Sequence, residues 1–144
     1  MFERNTALEG GAIHYNMFRP QIGTSNSFVQ NYATYGKDWS SYPAYLELPS
    51  EDALNNVASG QKLPNQITFR ILDFDRQVIN NDNSSVLILQ SADSSSSVSG
   101  GTQIVAKEGE FVFNDIAFQG PPQTQQAFTI TQPFIDPVLV GQAL

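Results

Sequence analysis

A chain of 144 residues with a formal charge of −7, one histidine and no cysteine excludes several kinds of chemistry at the outset. Seven Lys and Arg against fourteen Asp and Glu supply no basic patch for nucleic acid or an anionic membrane surface, and without Cys there are no disulfides, thiolate nucleophiles or Cys-based zinc sites. No apolar run approaches the roughly 20 residues of a membrane-spanning helix, and at this length the chain is one domain, or a repeat fragment fused to a small domain.

The opening stretch carries one pattern twice. Phe2-Glu-Arg-Asn5-Thr-Ala7-Leu-Glu-Gly10 returns 26 positions later as Phe28-Val-Gln-Asn31-Tyr-Ala33-Thr-Tyr-Gly36. A unit of this length cannot bury an apolar face alone and needs neighbours stacked on it, about three repeats as a rule. Only two are present, so a neighbour is expected from the second half of the chain, from a longer parent protein or from another copy. The start on a half-pattern, Met1-Phe2, fits a mature or excised segment, and the first residues lack the basic and apolar regions of a signal peptide.

Within the repeats, Gly10 and Gly36 permit left-handed backbone at a corner. Ala7 and Ala33 suit narrow interior positions, Phe2 and Phe28 suit stacked interior fill, and Asn5 and Asn31 suit a ladder that bonds the neighbouring backbone. Between the copies, short apolar pieces alternate with Pro20, Gly23 and the cluster Thr24 to Ser27, which predicts short strands joined by turns.

The phrase F-x-x-N-x-A-x-x-G-G-A-I, followed by F-x-x-N-x-A-x-Y-G-x-x-x-x-S-Y-P, resembles the end coils of right-handed parallel β-helices of the pectin-lyase-like and polymorphic outer-membrane-protein type, found in large surface proteins of protists and bacteria. The likeness covers Phe2 to Leu48. It implies the end of a stacked β-solenoid, with Ser41-Tyr42-Pro43 as the exit.

Residues 1–48 are thus expected to be β-helix-like coils, 49–65 a linker and 66–144 a second unit. The linker is polar and turn-rich, with Ser50-Glu51-Asp52 able to start one helical turn. Beyond it, Gln66 to Asp73 places Ile67, Phe69 and Ile71 on one face, as a half-buried strand does. Asp73 to Gln77 reads as a turn and Val78-Ile79 as a short strand. Ser85 to Gln90 is apolar on both faces, so it is central or covered from outside. Ala92 to Gly101, with five Ser and two Gly, reads as a flexible loop. Strands follow at Thr102 to Lys107, at Glu110 to Ile116 with Phe111 and Phe113 inward, and at Ala127 to Thr131, with Glu108-Gly109 and Gly120-Pro121-Pro122 as turns. About seven short strands with frequent turn signals predict an immunoglobulin-like β-sandwich, so the whole chain is expected to be all-β. This half also resembles the immunoglobulin-like and filamin-like modules that follow such coils, through Phe69 to Val78, Asp82 to Ser85 and Gly109 to Ile116. It departs from antibody domains in lacking a Cys pair and in placing its sole Trp, Trp39, outside the sandwich.

Candidate sites are few. His14 is the one histidine any Ser-His-Asp triad could use, against the simpler reading of an ordinary strand position. Among Asp73, Asp75, Asp82 and Asp115, the Asp73-x-Asp75 start suggests a calcium loop. Val78 and Ser84, however, stand where the EF-hand glycine and bidentate Glu are required, which excludes that motif. A looser calcium site stays open beside turn carboxylates bonding local N–H groups. Tyr32, Tyr35, Trp39, Tyr42 and Tyr45 form either a cap for the solenoid end or a sugar-stacking surface centred on Trp39 and Tyr42. Asn83-Ser84-Ser85 is an N-glycosylation sequon.

Charged residues make up 15% of the chain, against about 25% in typical domains, so the surface is coated with Ser, Thr, Asn and Gln, as in many extracellular β-rich proteins. No Lys or Arg follows Lys107, which leaves the last strands without the usual guards against edge pairing and suggests that they are covered. The expectation is a non-enzymatic extracellular structural protein without cofactor, metal or membrane insertion, whose partners are other copies of itself and whose fibre grows by coil stacking or strand addition. Donor-strand candidates are Phe2, Ala7 and Leu8 at one terminus and Val138, Leu139 and Val140 at the other. The alternative is an adhesion or carbohydrate-binding module.

Overall fold

The computed structural model describes residues 1–16, 18–48, 57–92, 94–121, 125–132 and 135–143; from residue 125 onward it describes backbone, and of the side chains only that of Thr129. Among these residues the protein is all-β, with no helix. The helical turn expected at Ser50 to Asp52 lies outside the described residues.

The two copies of the pattern lie on one another. Repeat 1 consists of β1 (Phe2–Glu3), β2 (Thr6–Glu9) and β3 (Ile13–Tyr15), and repeat 2 of β4 (Phe28–Val29), β5 (Tyr32–Tyr35) and β6 (Trp39–Ser41). Each strand of repeat 1 pairs in parallel with its counterpart at Phe2↔Phe28, Ala7↔Ala33 and Ile13↔Trp39. One offset of 26 therefore holds through three separate ladders, a register that side-chain alternation enforces because a one-residue slip would turn every inward residue outward. Corners repeat as well. Arg4 (φ 52°) and Gln30 (φ 53°) share the left-handed region, as do Gly10 (φ 57°) and Gly36 (φ 64°). A Cβ on Gly10 would lie 2.2 Å from the Ile13 carbonyl oxygen, so glycine is required sterically as well as conformationally.

Next comes β7 (Pro43–Glu47), which pairs antiparallel with β8 (Ile67–Asp73), although it precedes the linker expected at 49–65. β9 (Val86–Ser91) follows, then β10 (Ser97–Gly100), β11 (Gln103–Val105), β12 (Glu110–Phe113), β13 (Ile116–Gln119), β14 (Gln125–Gln132) and β15 (Ile135–Ala143). They form sheets in the orders β12-β8-β7 and β11-β9-β14-β15, with β10 and β13 as a separate antiparallel pair. The two larger sheets approach each other at both margins, β7 near β15 and β11 near β12, in a sandwich-like arrangement. Ile67, Phe69, Ile71, Leu87, Leu89, Phe111, Phe113, Ile116 and Phe118 fill the space between. β9, apolar on both faces, is indeed central between β11 and β14.

Three segments differ from the expectation. The serine-rich stretch Ala92 to Gly101 contains β10, which pairs with β13 from Ser97↔Gln119 to Gly100↔Ile116 and lays Val98 against the core. Backbone hydrogen bonds and one apolar side chain offset the weak strand preference of its serines. In turn, the strand expected to run through Ile116 breaks after Phe113, and Ile116, Ala117 and Phe118 begin the separate β13, all three buried. Val78-Ile79 reduces to a single bridge between Val78 and Leu72.

Phe111 is fully buried and opposite Phe69 in the β12–β8 ladder. Phe111→Ala is expected to lower stability by about 3–5 kcal/mol, read as a shifted urea midpoint; a change below about 1 kcal/mol would mean the sheets do not pack as described.

Candidate assembly site

Where repeat 2 meets the sandwich, a buried carboxylate collects the chain. Asp73 closes β8 and is 0% exposed. Its Oδ1 accepts from the backbone N–H groups of Asp75 and Gln77, both at 2.9 Å. Its Oδ2 accepts from the Tyr35 hydroxyl at 2.5 Å, the Gln77 Nε2 amide at 3.1 Å and the Ser41 N–H at 3.3 Å. A carboxylate removed from water is tolerated only with such compensation. Tyr35, in β5, and Ser41, in β6, belong to repeat 2, so a single side chain ties the parallel ladders to the sandwich.

The same contacts close the far edge of β6, the last strand of repeat 2. A parallel strand bonds each neighbour through alternate residues, and Ile13 N–H donates to the Asp38 carbonyl, so Ser40 faces repeat 1 while Trp39 and Ser41 face away. On that far side the Trp39 carbonyl accepts from Gln77 Nε2 at 3.1 Å and the Ser41 N–H donates to Asp73. Ser41 Oγ also accepts from the Phe74 N–H at 2.9 Å. Side chains from the Asp73 to Gln77 turn thus occupy positions that a further strand would otherwise fill.

Among the described residues repeat 1 shows no such closure: β1, β2 and β3 each pair with one strand only, as do β4 and β5, and are edge strands. Tyr32 N–H donates to the Asn5 carbonyl, and by the same alternation Thr6, Leu8 and His14 turn their backbone groups away from repeat 2. Of the residues expected at this edge, Leu8 is 78% exposed, Ala7 half-buried, and Phe2 half-buried with its ring stacked on Phe28 at 5.1 Å and 4°.

Val138, Leu139 and Val140, the candidates at the other terminus, lie in β15, paired within the chain to Ile130, Thr129 and Phe128 of β14. Trp39 and Tyr42 rest on different neighbours. The Trp39 ring meets Phe28 edge-on and has the Arg19 guanidinium 5.6 Å from its centre, while Tyr42, 56% exposed, packs against the edge of His14. Asn83 is exposed; its Oδ1 accepts from the Glu108 N–H and its Nδ2 donates to the Asn81 carbonyl at 3.3 Å.

His14 does not form a relay. Ser40 Oγ, at 2.8 Å, and Glu9 Oε2, at 3.8 Å, both approach Nδ1, whereas a triad needs its nucleophile and acid on opposite ring nitrogens. The acidic candidates are dispersed. Asp75 binds Arg19 at 2.9 Å and the Tyr15 hydroxyl at 2.6 Å, Asp115 binds Lys62 at 2.6 Å, and Asp82 accepts from the Ser84 and Ser85 N–H groups. Burial pushes the Asp82 carboxyl up, but bonds from the Ser85 and Ser84 hydroxyls and N–H groups outweigh it and hold it below the usual range. Among the described residues no three of His, Asp and Glu gather closely enough to hold a metal ion. No described helix is long and apolar enough to cross a membrane.

No protein-family model matches the chain, and no curated protein matches it. Among solved structures it is similar to domains 4 and 5 of the S-layer protein SbsC, at 16% identity and a TM-score of 0.46, over 73% of this chain and 54% of that one. It is also similar to the β-glucuronidase of Parabacteroides merdae, at 9% identity and a TM-score of 0.48, over 74% of this chain and 14% of that one. The chain therefore spans about half the length of the first and a small part of the second.

The sequence alone did not indicate Gln77 or Arg19. Gln77 is visible only as the fifth residue of a turn, and its amide matters because that turn lies against β6.

Two tests follow from the junction. Tyr35→Phe removes one donor from a buried carboxylate and is expected to cost about 2 kcal/mol; an unchanged urea midpoint would show that the bond does not fasten the repeats. Burial, then the bond to Asp75, pushes the Tyr15 phenol up to about 12 from 10.0. Burial and the bond to Asp73 likewise push Tyr35 up. Both phenols hold their protons more firmly folded than unfolded, so their contribution is complete below the unfolded value and is lost as pH rises. Stability is expected to fall between pH 10.0 and about 12, and Tyr15→Phe to flatten that fall; a flat wild-type profile there contradicts it.

Proposed function

We propose that the chain is a non-enzymatic structural segment of an extracellular surface assembly. In this reading, repeats 1 and 2 are the end coils of a β-helix-like solenoid, and the immunoglobulin-like sandwich terminates it. The observation that carries the reading is the closure at one strand: β6 is capped by Asp73 and Gln77, while among the described residues β1, β2 and β3 have unpaired edges on the side away from repeat 2. An edge of unpaired N–H and C=O groups is a template for further strands, and natural proteins blunt such edges unless pairing is used. The low charge, the polar uncharged coat and the exposed sequon at Asn83 support a place outside the cell.

Copies of the chain meet through the same edge, where the exposed Leu8 stands in β2 and Tyr32 stands beside Thr6 in the β2–β5 ladder. Head-to-tail growth, with repeat 2 of one copy on repeat 1 of the next, is opposed by the seal on β6. The apolar donor candidates of β15 are engaged with β14, so strand addition from that terminus would first require releasing them.

Analytical ultracentrifugation over rising concentration is expected to show reversible association that Leu8→Lys abolishes, since a charged side chain on an edge strand opposes pairing. A wild-type chain that stays monomeric at high concentration would overturn the reading, as would association unaffected by the substitution.

A further inference from the structure

Repeat 1 binds repeat 2 through contacts that are themselves periodic, so the surface repeat 1 turns outward is a copy of the one repeat 2 turns toward it. Phe28 offers a ring face that Phe2 covers. Asn31 Oδ1 accepts from both the Asn5 N–H, at 3.1 Å, and the Asn5 Nδ2, at 3.0 Å, while Asn31 Nδ2 donates to the Phe2 carbonyl. Even the surface pair is periodic, Arg4 Nε donating to Gln30 Oε1. The left-handed positions match in pairs, so the two backbones follow one path.

One substitution within the period bears on Asn5. Asp38 braces the Asn31 amide through its Oδ1 at 3.0 Å, and the residue 26 places earlier is Ala12. Asn31, covered by Asn5 and Phe2 of repeat 1, is 3% exposed, whereas Asn5 is exposed.

We propose that the outer edge of repeat 1 is a binding site for one parallel coil carrying the same Phe-x-x-Asn-x-Ala-x-x-Gly order, its Asn donating to Asn5 and its Phe stacking on Phe2. The chain is then a one-way terminus, which accepts a coil on repeat 1 and none on β6. This rests on the reading of that edge as an assembly surface and adds the identity of its occupant. Copies meeting edge to edge pair antiparallel through backbone groups alone, whereas a parallel coil uses the same groups and also keeps Asn5 and Phe2 in register with their counterparts.

The test is a tandem version of the full chain in which a second copy of residues 2–27 is joined ahead of Phe2, followed by amide hydrogen exchange. Exchange at Thr6, Leu8 and His14 is expected to slow on the order of 100-fold relative to the original chain as their edge becomes paired. Replacing the added coil's own asparagine with leucine is expected to remove most of that protection while leaving the original 144 residues unaltered. Unchanged exchange at the three amides, or an added coil trimmed away by protease, would overturn the proposal. Equal protection by the leucine version would overturn the asparagine recognition. Either failure leaves the self-association of the original chain to be judged separately, so the two readings can fall independently.

Discussion

The junction at Asp73 is the constraint on which the rest depends. Two parallel repeats are too few to stand alone, and what steadies repeat 2 is a buried carboxylate whose five donors come from β5, β6 and the turn after β8. Tyr35 serves both sides of this arrangement. Its ring belongs to the sandwich core and its hydroxyl reaches Asp73, so packing and polar satisfaction fasten the same point. A second contact of similar form lies nearby, where Tyr15 and Arg19 from the first repeat and its loop both reach Asp75.

A directional molecule results. Toward the sandwich, the Ser41 N–H and the Trp39 carbonyl are satisfied by side chains and offer nothing to a partner. At the opposite edge, β1, β2 and β3 have no second neighbour among the described residues, and Leu8 stands exposed among them. Function in this reading resides in backbone groups and their register rather than in a pocket with reactive side chains. The sole histidine offers Ser40 and Glu9 the same nitrogen, and the described Asp75, Asp82 and Asp115 carboxylates lie apart in turns and surface pairs.

Much of this was legible in the sequence because the repeat is a statement about contacts. A shared spacing of Phe, Asn, Ala and Gly predicts stacked rings, an asparagine ladder and left-handed corners, and Phe2–Phe28, Asn5–Asn31 and Gly10/Gly36 show all three. Alternation in Ile67, Phe69 and Ile71 likewise gave the inner face of β8. What was not legible depends on long-range pairing. β10 looks like a serine-rich loop until β13 is beside it, and Asp73 looks like a turn carboxylate until Tyr35, 38 positions earlier, is brought to it. Trp39 read as part of either a cap or a sugar-stacking surface, and nothing local shows that Arg19 will lie over its ring.

The central claim is the difference between two edges of one small stack of strands. Amide hydrogen exchange on the unaltered chain, resolved by residue, tests it most directly. The Ser41 N–H, held by buried Asp73, is predicted to exchange near the rate of global unfolding, and the outward N–H groups of Thr6, Leu8 and His14 in the monomer are predicted to exchange far faster. Equal protection at both edges, or a Ser41 amide that exchanges as freely as Leu8, would contradict the account.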